Sequence, residues 1–187
     1  GQLMSPAWRM PNLQDVFLGC CETNFGQPKI SDDILTLGAV FLCAGARSVV
    51  STLWTVDAFA TTLFCEFYYY ERQRQNDRPT ALHNAQQQLR DLTIQDYQHW
   101  LKQHLESLGA IGSKLSDQLD VLREQQRQSP DPNLLKQRYK VVQTQKKRID
   151  KGKKAIEAER QRISKFQSDR PFANPYYWSG FVSQGLR

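Results

Sequence analysis

The strongest constraint on the fold is a heptad pattern in the second half of this 187-residue chain. From about Thr93, leucines recur at intervals of three, four and seven residues, interrupted once at Gly112; they are Leu101, Leu105, Leu108, Leu115, Leu119 and Leu122. A second series recurs every seven residues, at Leu135, Val142, Ile149, Ile156 and Ile163. Residues 129–133 between them contain two prolines, which cannot continue a helix. The pattern predicts a long antiparallel coiled-coil hairpin over residues 95–170.

Residues 13–92 instead alternate between short apolar runs and amphipathic stretches. Leu13–Cys20 and Arg47–Trp54 are typical of buried strands, and the second is rich in β-branched residues. Three helices are predicted between and after these strands. Their N-terminal signals are Ser31, Asp57 and Pro79. Strand and helix in alternation predict an α/β fold with a mostly parallel sheet covered by helices.

A last apolar run follows the predicted hairpin. Pro171–Pro175 breaks the helix, and Tyr176–Val182 is then predicted as a strand. Because this strand is too short to stand alone, we expect it to return to the sheet of the first part. The interpretation is therefore one α/β domain, residues 1–94 and 171–187, with residues 95–170 inserted into it.

The net charge of +6 is concentrated in the predicted hairpin. Residues 101–170 carry 17 Lys+Arg and 9 Asp+Glu, whereas the rest of the chain carries 8 and 10. The densest basic cluster comprises Lys146, Lys147, Arg148, Lys151, Lys153 and Lys154. A solvated helix face, a protein partner and nucleic acid each agree with this charge. Within residues 101–170 only Tyr139 and Phe166 are aromatic, so a base-stacking surface is not expected.

Composition excludes several other classes. No run approaches the roughly 18 apolar residues that span a membrane, and the N-terminus lacks the pattern of a signal peptide. The four cysteines show neither the density of a disulfide scaffold nor C-x-x-C metal spacing; they are Cys20, Cys21, Cys43 and Cys65. We therefore expect a cytoplasmic protein without a metal or other cofactor. The leading Gly1 and internal Met4 indicate that the chain is cut from something longer.

Three segments resemble blocks of one family. Val16–Thr23 resembles an L-S-A-C-E-T stretch, Phe41–Asp57 an A-G-A-R-S-V-V-x-S-L-W-x-V-D block, and Pro175–Phe181 a closing P-Y-Y-W-A-x-F. Together, and in this order, they resemble the CHAT domain, a caspase-like peptidase domain often attached to tetratricopeptide repeats and frequent in cyanobacteria. The resemblance covers about residues 3–92 and 171–187, outside the hairpin. It implies a caspase-like three-layer α/β/α fold, a Cys–His dyad and a protein or peptide substrate.

The resemblance places the catalytic nucleophile at Cys21, since the family's cysteine precedes Glu-Thr. A thiol at the carboxyl end of a parallel strand also faces the usual ligand crevice of an α/β sheet. The alternative is that Cys20 and Cys21 both serve packing, and Cys20, at the family's small-residue position, is taken as structural.

The second member of the dyad is a histidine that precedes glycine, upstream of the cysteine. The three histidines here, His83, His99 and His104, all follow Cys21, and none precedes Gly. A nucleophilic cysteine needs a nearby base. We therefore expect the histidine on an upstream part of the same protein, with any tetratricopeptide repeats, or on a separate chain, and we expect this chain alone to be inactive.

Five residues are candidates for binding substrate. Asp57 serves as a helix cap, or receives a basic P1 side chain through a charge-assisted pair in the groove that the resemblance implies. Trp54 forms an apolar wall beside it, or simply packs. Glu22 orients loops or contacts substrate, and Ser51 and Thr52 offer backbone to an extended peptide.

The leading hypothesis is the nucleophile-bearing part of a caspase-like cysteine endopeptidase that cleaves after Arg or Lys through an acyl-enzyme on Cys21. The alternative is a non-catalytic CHAT-like scaffold that binds a protein partner through the hairpin. A third interpretation, an adaptor associated with nucleic acid, rests only on the basic charge.

Overall fold

A computed structural model of the chain describes residues 9–10, 12–19, 32–128, 133–166 and 168–185, with the backbone alone for 32–37. These residues divide into two compact units, described here one at a time. The α/β unit comprises Gly1–Leu92 and Phe172–Arg187, and the long-helix unit comprises Thr93–Pro171. The elements in chain order are β1 (Asp15–Phe17), α1 (Asp32–Cys43), β2 (Ser48–Thr52), α2 (Ala58–Gln73), α3 (Arg78–Asp91), α4 (Ile94–Gln128), α5 (Asn133–Ile163), a 3-10 turn (Pro175–Tyr177) and β3 (Phe181–Gly185).

The described strands form one small sheet in the order β1-β2-β3. β1 pairs parallel to β2, with Val16 opposite Val49. β3 pairs antiparallel to β2, with Ser183 opposite Val50. The fold is thus mixed α/β and mostly helical, and one of the two described strand pairs is parallel. The caspase-like three-layer arrangement stays a prediction.

Helices lie against both faces of this sheet. Residues of a strand alternate between the two faces, so Val49 and Val50 point to opposite sides. On the Val49 side, α1 approaches at Gly38, where a Cβ would lie 3.8 Å from the Val49 Cγ1. On the other side, Phe64 of α2 stacks on Phe181 of β3, with ring centroids 3.6 Å apart. The central strand is buried along its whole length.

Local sequence signals set the ends of the helices. The predicted cap at Asp57 is confirmed, because its side chain accepts hydrogen bonds from the first amides of α2. Asp77 caps α3 in the same way. Beyond α1, Gly45 has a φ of 112°, its amide donates to the Leu42 carbonyl, and that of Ala46 donates to the Phe41 carbonyl. This left-handed closing turn favours glycine.

The strand predicted at Tyr176–Val182 starts later than expected. Pro175–Tyr177 forms a 3-10 turn instead, and β3 begins only at Phe181. The proline fixes φ at the first position of the turn. The Asn174 side chain accepts a hydrogen bond from the Tyr176 amide, as an N-cap residue does. The Ser179 hydroxyl also donates to the Pro175 carbonyl. These local hydrogen bonds satisfy backbone groups that, in an extended strand, would have to pair with a neighbouring strand.

A buried ion network links β1 to two helices of the α/β unit. The Asp15 carboxylate accepts from Arg78 Nε at 2.6 Å and from Arg72 Nε at 3.1 Å. Arg78 also donates to the Gln14 carbonyl, and Arg72 to the Asn76 carbonyl. The Asp15 side chain is 9% exposed and that of Arg78 is 7% exposed. These two charges are therefore stabilised by each other rather than by hydration.

Glu71 of α2 is a second buried carboxylate, with amide partners. It accepts hydrogen bonds from the side chains of Asn76, Asn84 and Gln88, each at 2.7 to 2.8 Å. The bond from Asn84 lowers the pKa of Glu71 below its ordinary value, and those from Gln88 and Asn76 add to this effect against the opposing effect of burial. The charged form of Glu71 is therefore part of the native packing of α2 on α3.

The long-helix unit consists of α4 and α5, which pack side by side. Tyr97, near the start of α4, donates to Glu159 near the end of α5. Arg123, near the end of α4, donates to Tyr139 near the start of α5. The two helices therefore run in opposite directions. Of the turn predicted at residues 129–133, residues 129–132 lie outside the described residues, and Asn133 begins α5.

Gly112, where the heptad pattern is interrupted, does not break α4. The helix is continuous from Ile94 to Gln128, and Gly112 is buried. A Cβ at Gly112 would lie 3.5 Å from the Ile149 Cγ2 of α5, which is an ordinary contact. The glycine therefore marks a place where the two helices approach closely.

Candidate active site

β1 ends close to the first turn of α2. Beyond the last strand residue, the Leu18 amide still donates to the Val50 carbonyl at 2.8 Å. A Cβ at the next residue, Gly19, would lie 3.1 Å from both the Phe17 ring and the Thr61 methyl. The Thr61 hydroxyl in turn donates to the Asp57 carbonyl at 3.0 Å. The carboxyl end of β1 therefore lies one helical turn from the N-terminus of α2.

Asp57 sits where β2 has ended and α2 begins. Its Oδ1 accepts from the Phe59 amide at 2.9 Å and the Ala60 amide at 3.1 Å. Among the described residues, no group donates to the second oxygen, Oδ2. The side chain is part-buried, so one carboxylate oxygen holds the helix while the other is available to a ligand.

An aromatic pair, Trp54 and Tyr176, lies beside this loop. Trp54 Nε1 donates to the Tyr176 carbonyl at 2.9 Å, and the two rings stack with centroids 6.4 Å apart. The Tyr176 hydroxyl donates back to the Thr55 carbonyl. The Trp54 ring also covers Gly180, where a Cβ would come within 2.7 Å of it. Trp54 is 38% exposed and Tyr176 50%, so the pair offers a fixed apolar surface to solvent.

An open groove runs between the end of β1 and one face of α2. Its volume is about 620 Å³, and it is mostly apolar; the lining is Phe17, Gly19, Ala58, Thr61, Thr62, Cys65 and Glu66. Burial, with a smaller contribution from Glu66, raises the pKa of the Cys65 thiol. A raised pKa disfavours the thiolate, so Cys65 is a packing residue of this groove rather than a nucleophile.

The family model of the CHAT domain matches residues 4–186 of the chain. The chain belongs to the CHAT domain family. CHAT domains are a caspase-like, peptidase-related family, so the domain is related to cysteine peptidases. The match extends across the long-helix unit, which the three motif blocks had left outside. Comparison with curated proteins and with solved structures gave no match.

The structure of the CHAT domain describes some of the predicted site residues and not others. Cys21 and Glu22 lie outside the described residues, as does Cys20. Ser51 and Thr52 have buried side chains, and their strand pairs with β3 at Val182 and Phe181. Their backbone is thus already engaged on one edge.

Asp57 and Trp54 are brought together in the loop between β2 and α2, next to the end of β1. Their roles in substrate binding stay predictions, as does the role of Ser51 and Thr52.

The three histidines belong to helices and not to this loop. His83 is exposed on α3, and His99 and His104 belong to α4 in the long-helix unit. His104 stacks on Trp100 and forms a hydrogen bond with the Trp100 carbonyl, so its ring has partners on its own helix. Within the described part of the chain, no three His, Cys, Asp or Glu side chains form a metal cluster.

No helix in the described ranges has both the length and the apolar character needed to cross a bilayer. The cytoplasmic location stays a prediction.

Sequence reasoning missed the residues that shape the site around Asp57. Gly19 and Thr61 set the approach of β1 to α2, and Tyr176 and Gly180 hold Trp54. For Tyr176 a signal was present, because Asn174-Pro175 is an N-cap followed by a proline, which is typical of a helical turn. For Gly19 and Gly180 the signal lies only in the partner side chains, which are distant in sequence.

Proposed function

We propose that this CHAT domain carries the nucleophile of a caspase-like cysteine endopeptidase that cleaves after Arg or Lys. Cys21 is the nucleophile, and a histidine from outside these 187 residues is the base. Asp57 receives the P1 side chain beside Trp54. The proposal joins the family relationship to the geometry around the end of β1.

The observation that carries the proposal is the contact of Gly19 with Thr61, one turn above Asp57. Cys21 follows Gly19 by two residues, and two residues of chain span at most about 7 Å. This short spacing from a point one helical turn from Asp57 supports the assignment of Cys21 and Asp57 to the same substrate residue.

Asp57 supports a preference for a basic P1 residue. Its Oδ2 is not used in capping α2, so a guanidinium or ammonium group can bind there without breaking the cap. Trp54, three residues earlier and partly exposed, adds an apolar wall beside this carboxylate. The carboxylate favours a positively charged side chain over an acidic one.

In the proposed reaction, the histidine takes the Cys21 proton and the sulfur attacks the carbonyl carbon of the P1 residue. A C–S bond forms, the oxyanion is stabilised by backbone amides, and the C–N bond breaks as histidinium gives its proton to the leaving amine. Water then attacks the thioester, with the histidine as base. The C–S bond breaks, the acid product leaves, and the thiol is restored.

The first test measures cleavage of fluorogenic peptides with Arg at P1 by the full-length protein. We expect Cys21→Ala to abolish activity and Cys20→Ala, the matched control, to keep most of it. Equal activity of the wild-type protein and Cys21→Ala would contradict the assignment of the nucleophile. A folded wild-type protein that cleaves no peptide would instead favour the non-catalytic scaffold.

The second test separates the two roles of Asp57. Asparagine caps helices as well as aspartate does, so Asp57→Asn should change the free energy of unfolding by less than about 0.5 kcal/mol. Because it removes the charge, kcat/KM for Arg at P1 should fall by roughly 30-fold or more. Asp57→Ala should lose the same activity and also about 1 kcal/mol of stability. Unchanged kcat/KM for Arg in Asp57→Asn would show that Asp57 only caps.

A further inference from the structure

The basic charge of the chain belongs to one helix of the long-helix unit. α5 holds eleven basic and three acidic residues, a formal charge of +8. α4, its partner in the same unit, holds four basic and five acidic residues, a formal charge of −1. The two helices are similar in length, so the difference reflects the choice of residues on α5 and not the amount of surface.

The charge of α5 forms a continuous row on its outer face. Lys140, Lys147 and Lys154 recur every seven residues. Lys136 lies four residues before Lys140, and Lys151 lies four residues after Lys147. All five are exposed. The residues that face α4, such as Ile149 and Ile156, recur in a different heptad position. The row extends about 27 Å along the helix axis at about 1.5 Å per residue.

Solvation alone does not account for this arrangement. Exposed faces of paired helices usually interleave charges of both signs. Here Lys136 and Lys140, and again Lys147 and Lys151, are like charges four residues apart, which destabilises a helix. Two of the three acids are engaged away from the row, since Asp150 pairs with Lys146 and Glu159 pairs with Arg162. No described acid pairs with the lysines of the row.

Apolar residues lie directly beside the lysine row. Val141 is 58% exposed and Leu134 67%, seven residues apart on the same strip of α5. Val141 sits in a shallow depression of about 480 Å³; the other lining residues are Gln137, Lys140, Thr144, Gln145 and Arg148. Leu134 and Val141 share one heptad position, and Lys140, Lys147 and Lys154 share the one before it, so an apolar strip and a basic row follow the same seven-residue repeat, which a packed helix can match.

We propose that the outer face of α5, from Leu134 to Lys154, binds an acidic amphipathic helix of another protein. Apolar side chains of that helix cover Val141 and Leu134, and its acids pair with the lysine row. The heptad register favours a helix over nucleic acid, because phosphates would use the lysines but leave Val141 and Leu134 exposed. The proposal involves no residue of the candidate active site, so its failure leaves the proposed peptidase untouched.

The test uses the full chain and a fluorescein-labelled synthetic probe of 28 residues, with leucine on one helical face and glutamate beside it. A peptide of the same composition in shuffled order is the control probe. Fluorescence anisotropy should detect binding of the ordered peptide, at least about tenfold tighter than that of the shuffled one. Binding should weaken as salt is raised.

Matched variants localise the surface. Lys140→Glu/Lys147→Glu and Lys102→Glu/Lys114→Glu both change the net charge from +6 to +2, and all four lysines are exposed. We expect the α5 double variant to bind the ordered peptide at least about tenfold more weakly than the wild-type chain, and the α4 double variant to bind it less than about threefold more weakly. Val141→Gln, which leaves the charge unchanged, should weaken binding of the same peptide about threefold to tenfold.

Any of four results overturns the proposal. The ordered peptide does not bind, or the shuffled peptide binds equally well. The α4 variant loses as much affinity as the α5 variant. Val141→Gln has no effect. Finally, a single-stranded or duplex oligonucleotide, phosphatidylserine vesicles, or a second copy of the chain in sedimentation binds the lysine row more tightly than the ordered peptide does.

Discussion

The two units of the chain bury apolar side chains in different ways. The core of the α/β unit contains aromatic side chains with almost no exposure, among them Phe64, Tyr68 and Phe181. In the long-helix unit, full burial is confined to one end, at Tyr97, Leu101 and Ile163, whereas Leu119 and Ile156 farther along the helices keep 9% and 7% of their surface exposed. The first unit has an interior, whereas the second has mostly surface.

Charge follows the same division. The α/β unit holds carboxylates inside specific networks, around Asp15 and Glu71. The long-helix unit holds a buried carboxylate, Glu159, which accepts from Tyr97 and Arg162, and displays its basic charge outward on α5. Substitutions in the α/β unit, and at the contact of Tyr97 with Glu159, should therefore act through individual buried contacts. Substitutions on the exposed faces of the long helices should act through helix propensity and surface charge, and the following predictions test that contrast.

The largest effect is expected at Asp15. Asp15→Ala leaves the buried guanidinium of Arg78 and the partly buried one of Arg72 without their carboxylate, at a cost of about 3–5 kcal/mol. Asp120→Ala in the long-helix unit breaks a pair with Arg123 whose side chains are 70% and 57% exposed, and should cost less than about 1 kcal/mol. Urea unfolding followed by circular dichroism measures both. Similar losses would remove the contrast between the units.

Glycine-to-alanine substitutions should have opposite signs in the two units. Gly180→Ala places a methyl group 2.7 Å from the Trp54 ring, so the ring must move, and about 1–3 kcal/mol is lost. Gly109→Ala in α4 meets nothing within 4 Å and should stabilise by about 0.5–1 kcal/mol through helix propensity. Thermal melts of the two variants check the signs. Stabilisation by Gly180→Ala would show that Trp54 moves freely.

Tyrosine-to-phenylalanine substitutions should also differ in sign. The buried Tyr68 hydroxyl has no hydrogen-bond partner among the described residues, so Tyr68→Phe should stabilise by up to about 1 kcal/mol. In the long-helix unit, the Tyr97 hydroxyl donates to Glu159 at 2.7 Å, and Tyr97→Phe should cost about 1–2 kcal/mol.

An alkaline titration gives an independent check on Tyr68. Burial raises the pKa of Tyr68 from 10.0 to about 12. The unfolded chain therefore loses this proton first, and stability should fall as pH rises from 10 toward 12. Tyr68→Phe should lose less stability than the wild-type protein over this range. An equal loss in both would show that the hydroxyl is solvated.

The smallest effect is expected at acid pH. Because hydrogen bonds lower the pKa of Glu71 in the folded state, its contribution is present above the ordinary value of 4.5 and is lost as pH falls below it. Glu71→Gln should therefore flatten the decline in stability between about pH 4.5 and pH 3. Glu106→Gln, at an exposed position of α4, is the control and should leave the decline unchanged. Parallel pH curves for wild type and Glu71→Gln would contradict the assignment.

Features that depend on neighbours in sequence could be predicted. The Asp57 cap involves amides two and three residues away, so a single acid before an apolar periodic stretch was enough to predict it. The central strand was likewise predictable from a run of β-branched residues, although it is shorter than expected. Family membership followed from three short blocks, since each combines rare residues at fixed spacing.

Features that depend on distant partners could not be predicted. Asp15 looked like one more residue of a short strand, because Arg72 and Arg78 lie 57 and 63 positions away. Tyr176 was predicted as a strand residue because the aromatic residues beside it are typical of a strand, and the helix-cap signal at Asn174 was weaker than that pattern. The contacts of Gly19 and Gly180 depend on which side chains arrive opposite them, and one sequence does not carry that information.

The two ends of the long-helix unit meet. The Ile94 amide, at the start of α4, donates to the Asp169 carbonyl at 2.7 Å, beyond the end of α5. The chain thus leaves this unit almost where it entered, after about 75 residues. Joining two points that are already in contact costs little closure entropy, whatever the length of chain between them. The long helices can therefore be shortened, lengthened or replaced by a short linker as one cassette, and a CHAT domain can gain or lose these two helices without redesign of its sheet.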